Sequence, residues 1–226
     1  MPSLKYLEVE TQTNPVASVI WLHGLGASGH DFEPIVPELQ LPIGVRFIFP
    51  HAPNRTVTVN GGMVMPAWYD ILSMEIERVI DTKQIMESSA AVGELIEQEV
   101  ARGIPHEKIF IAGFSQGGAV AYEAALSYPK KLGGLIALST YFATRKTIAF
   151  NTANAQLPIF IGHGTVDNVV DESLGQQAKD ALTQLNFHPE YHTYPIAHSV
   201  CMEEITAISI WLQVQLKKLR TKDEKE

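Results

Sequence analysis

Cysteine is nearly absent: Cys201 is the only one in the chain. No disulfide can form within the protein, which fits a reducing compartment such as the cytoplasm. Positive charge is also short, with 17 Lys and Arg against 25 Asp and Glu and a formal net charge of -8. A nucleic-acid surface needs a basic stripe, and this balance argues against one. The opening residues, Met1-Pro2-Ser3-Leu4-Lys5, lack the basic-then-apolar order of a secretory signal. No apolar run approaches the length that spans a bilayer, so stable membrane insertion is not expected. Repeats and low-complexity linkers are missing as well. What remains, 226 residues at 46% hydrophobic, is enough to bury one α/β core over residues 1–226.

Short apolar runs at 17–22, 45–49, 109–112, 134–139 and 157–161 have the length and composition of buried parallel strands. Residues 4–10 alternate in polarity as an edge strand, and 192–194 close the last strand. Between them lie helical patterns. A short helix, limited by Pro34 and Pro37, is expected in 31–40. The clearest helix is 82–102, with Ile85, Val92, Leu95, Ile96 and Val100 on one face, and Gly103 and Pro105 end it. Another spans 173–185, with Ser173 and Gln176 at capping-box spacing, and a last one covers 202–219 before a charged tail, 220–226, expected to fray. Residues 57–65 read as a small hairpin turning at Asn60-Gly61. Alternation of this kind builds a mostly parallel sheet covered on both faces.

One strand leads somewhere unusual. After the run at 109–112, the chain turns through Gly113-Phe114-Ser115-Gln116-Gly117 and enters an alanine-rich helix. A G-x-S-x-G turn between strand and helix holds its serine in an awkward backbone conformation, exposed at the sheet edge. The pattern alone is weak; the strand before it and the helix after it strengthen it. A serine hydroxyl needs a base, and the base a carboxylate, which in such a fold follow in the order Ser, Asp or Glu, His. Asp167 qualifies, reached from the 157–161 strand through a glycine loop; Asp171 competes but stands where a helix begins and reads better as a cap. Of the late histidines, His188 lies at a helix-to-strand joint and His192 within a strand, whereas His198 falls in the last loop. His23, His30, His51, His106 and His163 lack the company of a metal site and read as loop-shaping or solvated. Two oxyanion donors are expected: the backbone N–H of Gln116, at a helix start, and that of Leu25, in the glycine turn His23-Gly24-Leu25-Gly26.

The chain resembles the small α/β-hydrolases of the serine carboxylesterase, lysophospholipase and acyl-protein thioesterase family. The resemblance rests on V-I-W-L-H-G-L-G-A-S-G-H-D-F at 19–32, F-P-H-A-P at 49–53, V-N-G-G at 59–62 and P-A-W-Y-D-I at 66–71. It continues through A-G-F-S-Q-G-G-A at 112–119, G-G-L-I-A-L-S-T at 133–140, H-G-T-V-D-N-V-V at 163–170 and Y-P-I-A-H at 194–198. It implies an α/β-hydrolase fold with a minimal cap, the triad Ser115, Asp167 and His198, and Leu25 with Gln116 as oxyanion donors. It further implies a cofactor-free, intracellular and often homodimeric enzyme; V-N-G-G and W-Y-D-I read closest to the bacterial esterase branch. Two positions depart from the family pattern. Ala197 replaces the glycine usual before the histidine, and would cost on the order of 1–2 kcal/mol if that site needs a positive φ. Asp171 stands where proline is common.

The expected substrate is a short- to medium-chain carboxylic ester, with acylated proteins and lysophospholipids as alternative acyl donors. Soft apolar residues in the segment 63–74 suit a groove for the acyl chain: Met63, Met65, Trp68, Ile71, Leu72 and Met74, with Val169 near the triad. The same segment would serve equally as core or as a dimer contact. No Arg or Lys cluster marks an anion pocket in the sequence, which favours a neutral ester. A binding protein that had lost catalysis would be expected to lack a triad member, and none is missing.

Overall fold

The computed structural model describes residues 4–73 and 78–223, with side chains described to residue 219. In chain order the strands and helices are β1 (Tyr6–Glu10), β2 (Ala17–Leu22), β3 (Val45–Pro50), β4 (Asn54–Val57), β5 (Met63–Pro66), β6 (Ile71–Ser73), β7 (Val79–Ile80) and α1 (Thr82–Ala101). They continue with β8 (Ile109–Phe114), α2 (Gln116–Ser127), β9 (Gly134–Leu138), β10 (Ile159–Gly164), α3 (Glu172–Gln184), β11 (Glu190–Tyr194) and α4 (Met202–Asp223). Among the described residues a seven-stranded sheet runs in the order β1-β3-β2-β8-β9-β10-β11. Every neighbouring pair in it is parallel except β1 with β3, where Tyr6 faces Pro50 and Glu10 faces Arg46. This is the α/β-hydrolase fold.

The central strands are apolar on both faces because both are covered. From β2, Ile20 and Leu22 join a core with Val92, Ile96, Val120 and Ala121 of α1 and α2. Val19 and Trp21 point the other way, into a core with Phe110, Phe160, Ile208, Trp211 and Leu212. The expected short helix is a 3₁₀ segment, Glu33–Leu39, carrying Pro37 and ending at Gln40 with φ 45°. Asp171, not Ser173, caps α3, its carboxylate accepting from the Ser173 N–H. α4 runs on to Asp223, into the tail expected to fray, while 224–226 lie outside the described residues. The hairpin is present with Val57 opposite Met63, and Gly61 and Gly62 at positive φ between its strands. The small β6–β7 ladder was not expected, because its second strand lies within 75–81, a segment rich in charged residues.

The parallel arrangement decides where the chemistry sits. β2, β8, β10 and β11 point the same way, so the loops after Leu22, Phe114, Gly164 and Tyr194 gather along one edge of the sheet, the usual place for a site in such folds.

Candidate active site

Ser115 occupies the turn between β8 and α2 with φ 53° and ψ -120°, a conformation that costs an L-residue on the order of 1–3 kcal/mol. Main-chain contacts hold it there. Its N–H donates to the Leu138 carbonyl at 2.9 Å, and its own carbonyl accepts from the Thr140 hydroxyl at 2.6 Å. The flanking glycines are needed for space. A Cβ on Gly113 would lie 2.4 Å from the Gly117 carbonyl oxygen, and one on Gly117 2.5 Å from the carbonyl oxygens of Leu22 and His23.

The structure brings Ser115, Asp167 and His198 into one hydrogen-bonded line. His198 Nε2 lies 2.9 Å from Ser115 Oγ, and His198 Nδ1 lies 2.7 Å from Asp167 Oδ2. The other carboxylate oxygen of Asp167 accepts the N–H groups of Val169 and Val170, each at 2.8 Å. His163, buried on β10, adds a contact from Nε2 to the Val170 carbonyl at 2.8 Å, so it braces the loop that carries Asp167. Asp171 caps α3, His192 stacks on Phe160, and His188 is exposed; none of them enters this line. Ala197 is not among the residues with positive φ, so replacing the family's glycine there carries none of the strain considered from the sequence.

The turn after β2 is anchored just as firmly. His23 Nε2 accepts from the Ala52 N–H at 3.1 Å, which leaves Nδ1 to donate to the Gly24 carbonyl at 2.7 Å. Burial pushes the imidazole pKa down and favours this neutral tautomer. The Gly26 N–H donates to Pro66 at 2.8 Å, tying the turn to β5. Leu25 and Gln116 line one cavity of about 380 Å³ with Ser115 and His198. The first amides of a helix such as α2 have no intrahelical acceptor, so the Gln116 N–H is a suitable anion donor.

The groove wall differs from the expectation. Ile71 and Val169 line the cavity. Trp68 does not: it is fully buried, its indole N–H donating to the His23 carbonyl and its main-chain N–H to Gln116 Oε1, both at 2.8 Å. An amphipathic flap would leave this indole in the groove, but its N–H finds its acceptor in the core. Leu72 is half-exposed and Met63 more so, and neither is a lining residue. Met65 packs its sulfur beside Gly26 and the Asn60 amide, behind the lining residue Asn60, and is not itself a lining residue. Met74 lies outside the described residues.

In their place stand residues the sequence reading did not select: Tyr69, Tyr141, Val59, Asn60, Asp31 and Arg78. Tyr141 follows β9 at the same sheet edge, a position the parallel order already marks. Arg78 had no such signal, coming from a charged run.

The chain is similar to known proteins along most of its length. The family model described as Phospholipase/Carboxylesterase matches residues 4–216. An acyl-protein thioesterase 1 of Neurospora crassa is 39% identical over 223 residues, covering 93% of this chain and 91% of that protein. The carboxylesterase SOBER1 of Arabidopsis thaliana is 36% identical over 206 residues, covering 88% and 90%. Its crystal structure superposes with a TM-score of 0.82 at 34% identity, over 88% of this chain and 99% of that one. Among the described residues no helix is long and apolar enough to cross a membrane. A serine elbow on a parallel sheet, matched along nearly its whole length by these relatives, makes the chain a member of the phospholipase/carboxylesterase family of α/β-hydrolases.

Proposed function

We propose that the protein is a serine hydrolase that cleaves short- to medium-chain carboxylic esters through an acyl-enzyme. The unbroken line Ser115–His198–Asp167 is the observation that carries this reading. His198 Nε2 takes the proton of Ser115 Oγ as the hydroxyl attacks the ester carbonyl, and Asp167 holds the ring so that Nε2 faces the serine. Leu25 and Gln116 N–H groups receive the oxyanion; losing one such donor typically lowers turnover about 10²–10³-fold. His198 then returns its proton to the departing alcohol, and a water activated by the same imidazole releases the acid. Ile71 and Val169 form the acyl wall.

Identity to the Neurospora thioesterase supports a second acyl donor for the same machinery, an acylated protein thioester. A cytoplasmic homodimer completes the reading; the lone Cys201 suits the compartment, and exposed Met63, Val64 and Leu72 offer an apolar contact.

A fluorophosphonate probe tests the central claim. It should label the wild type, and Ser115→Ala should abolish labelling and lower p-nitrophenyl butyrate hydrolysis by roughly 10⁶-fold. Labelling that survives the substitution would refute the assignment. Rates along a series of p-nitrophenyl esters, beside an acyl thioester and a lysophospholipid, rank the acyl donors.

A further inference from the structure

Arg78 stands where the cavity of Ser115 meets a second one. It lines the first cavity together with Tyr141, and both also line a neighbouring cleft of about 350 Å³ that includes Arg145 and Lys146. Arg78 therefore borders the continuation of the site, and among the described residues no carboxylate lines that cleft. This corrects the expectation that no cation marks the pocket: Arg78 is far in sequence from Arg145 and Lys146, and the fold alone brings it to the cavity of Ser115.

Arg78 is anchored by a main-chain carbonyl and an aromatic ring. Its Nη2 donates to the Val169 carbonyl, and its guanidinium sits 5.1 Å from the centre of the Tyr141 ring. A guanidinium has five N–H donors, and the carbonyl takes one of them. Among the described residues no carboxylate lies within ion-pair distance of it; Asp31, the acid lining the first cavity, closes the turn after the one that carries Leu25. The two nearby phenols carry no negative charge. The hydroxyls of Tyr69 and Tyr141 bond each other at 2.8 Å, and burial raises both pKa values, so they stay neutral. The contact to Val169 also places Arg78 at the wall that the proposed function gives to the substrate.

We infer that Arg78 forms an anion subsite that selects esters bearing a carboxylate or phosphate group. The planar fork of Arg78 suits bidentate capture of either group, and its anchor on Val169 sets its orientation in advance. The inference rests on the proposed esterase activity and deepens it by naming a substrate class.

Matched pairs of esters test it. One pair sets p-nitrophenyl hydrogen glutarate against p-nitrophenyl valerate, with the anion on the acyl chain; the other sets butyrylglycerol phosphate against monobutyrin, with the anion on the leaving group. The readout is the ratio of kcat/KM, anionic over neutral, in which a general folding defect cancels. Arg78→Gln should lower this ratio about 10- to 100-fold in at least one pair, the worth of a charged hydrogen bond, with Arg78→Lys in between. Added salt should compress the ratio in the wild type. The pair that responds identifies which part of the ester carries the anion. Ratios unchanged by Arg78→Gln in both pairs would overturn the subsite and leave the esterase reading intact. Failure of Ser115 to take the fluorophosphonate, with no hydrolysis of any ester, would bring down both.

Discussion

Glu204, in the first turn of α4, has no exposed surface, and neither carboxylate oxygen has a hydrogen-bond partner among the described residues. It lies close against β10: a Cβ on Gly162 would fall 2.0 Å from its Oε1. Burial pushes its pKa up from 4.5 to about 8. The folded protein thus keeps a proton that the unfolded chain releases above about pH 4.5, and stability falls as pH rises between these two values. The slope is about 1.4 kcal/mol per pH unit, and the accumulated loss by pH 8 is about 4 to 5 kcal/mol. Glu204→Gln is neutral at every pH and removes this dependence. Urea unfolding of both proteins from pH 5 to pH 8 should show the wild type losing ground to the variant steadily, with any constant offset from the new amide cancelling in the slope. A stability difference that stays flat across that range would refute the reasoning.

Two further substitutions test the packing. Glu99 is buried on α1, accepting from Arg46 at 2.9 Å, Arg102 at 3.0 Å and the Ser18 hydroxyl. Glu99→Ala should cost about 3 kcal/mol, the low end for breaking a buried pair because Arg46 keeps Glu10, and chemical denaturation would read it. Trp68→Ala should cost about 3–5 kcal/mol in the same assay, as for a core indole; a variant as stable as wild type that only altered acyl-chain preference would return Trp68 to the groove.

Much of the candidate site was legible before folding. The apolar run before Gly113 and the alanine-rich segment after Gly117 define a strand, a turn and a helix, so Ser115 could be placed at a strand end. Once the sheet is parallel, the loops carrying Asp167 and His198 must share that edge, and the order of the three residues along the chain needs no coordinates. Asp171 before an amphipathic run is likewise a local signal, since a cap bonds an amide two residues on.

Other features depend on what a side chain meets, and periodicity reports a face without naming its partner. Trp68 and Ile71 are both soft apolar residues of one segment, yet one buries its N–H against His23 while the other lines the cavity. Ala197 differs from its family pattern without strain because the backbone there does not take a positive φ. Glu99 and Glu204 look in the sequence like ordinary surface acids of helices. One is paired with Arg46 of β3 and with Arg102 just past the end of α1, the other is kept protonated by burial against β10. The chain by itself determined the strand–turn–helix grammar and the order of the polar residues, because those follow from short-range backbone preference and the direction of parallel strands. Tertiary structure alone decided which charges are buried and that Arg78 sits over Tyr141, because the energy of a charge depends on its distances to groups far away in sequence.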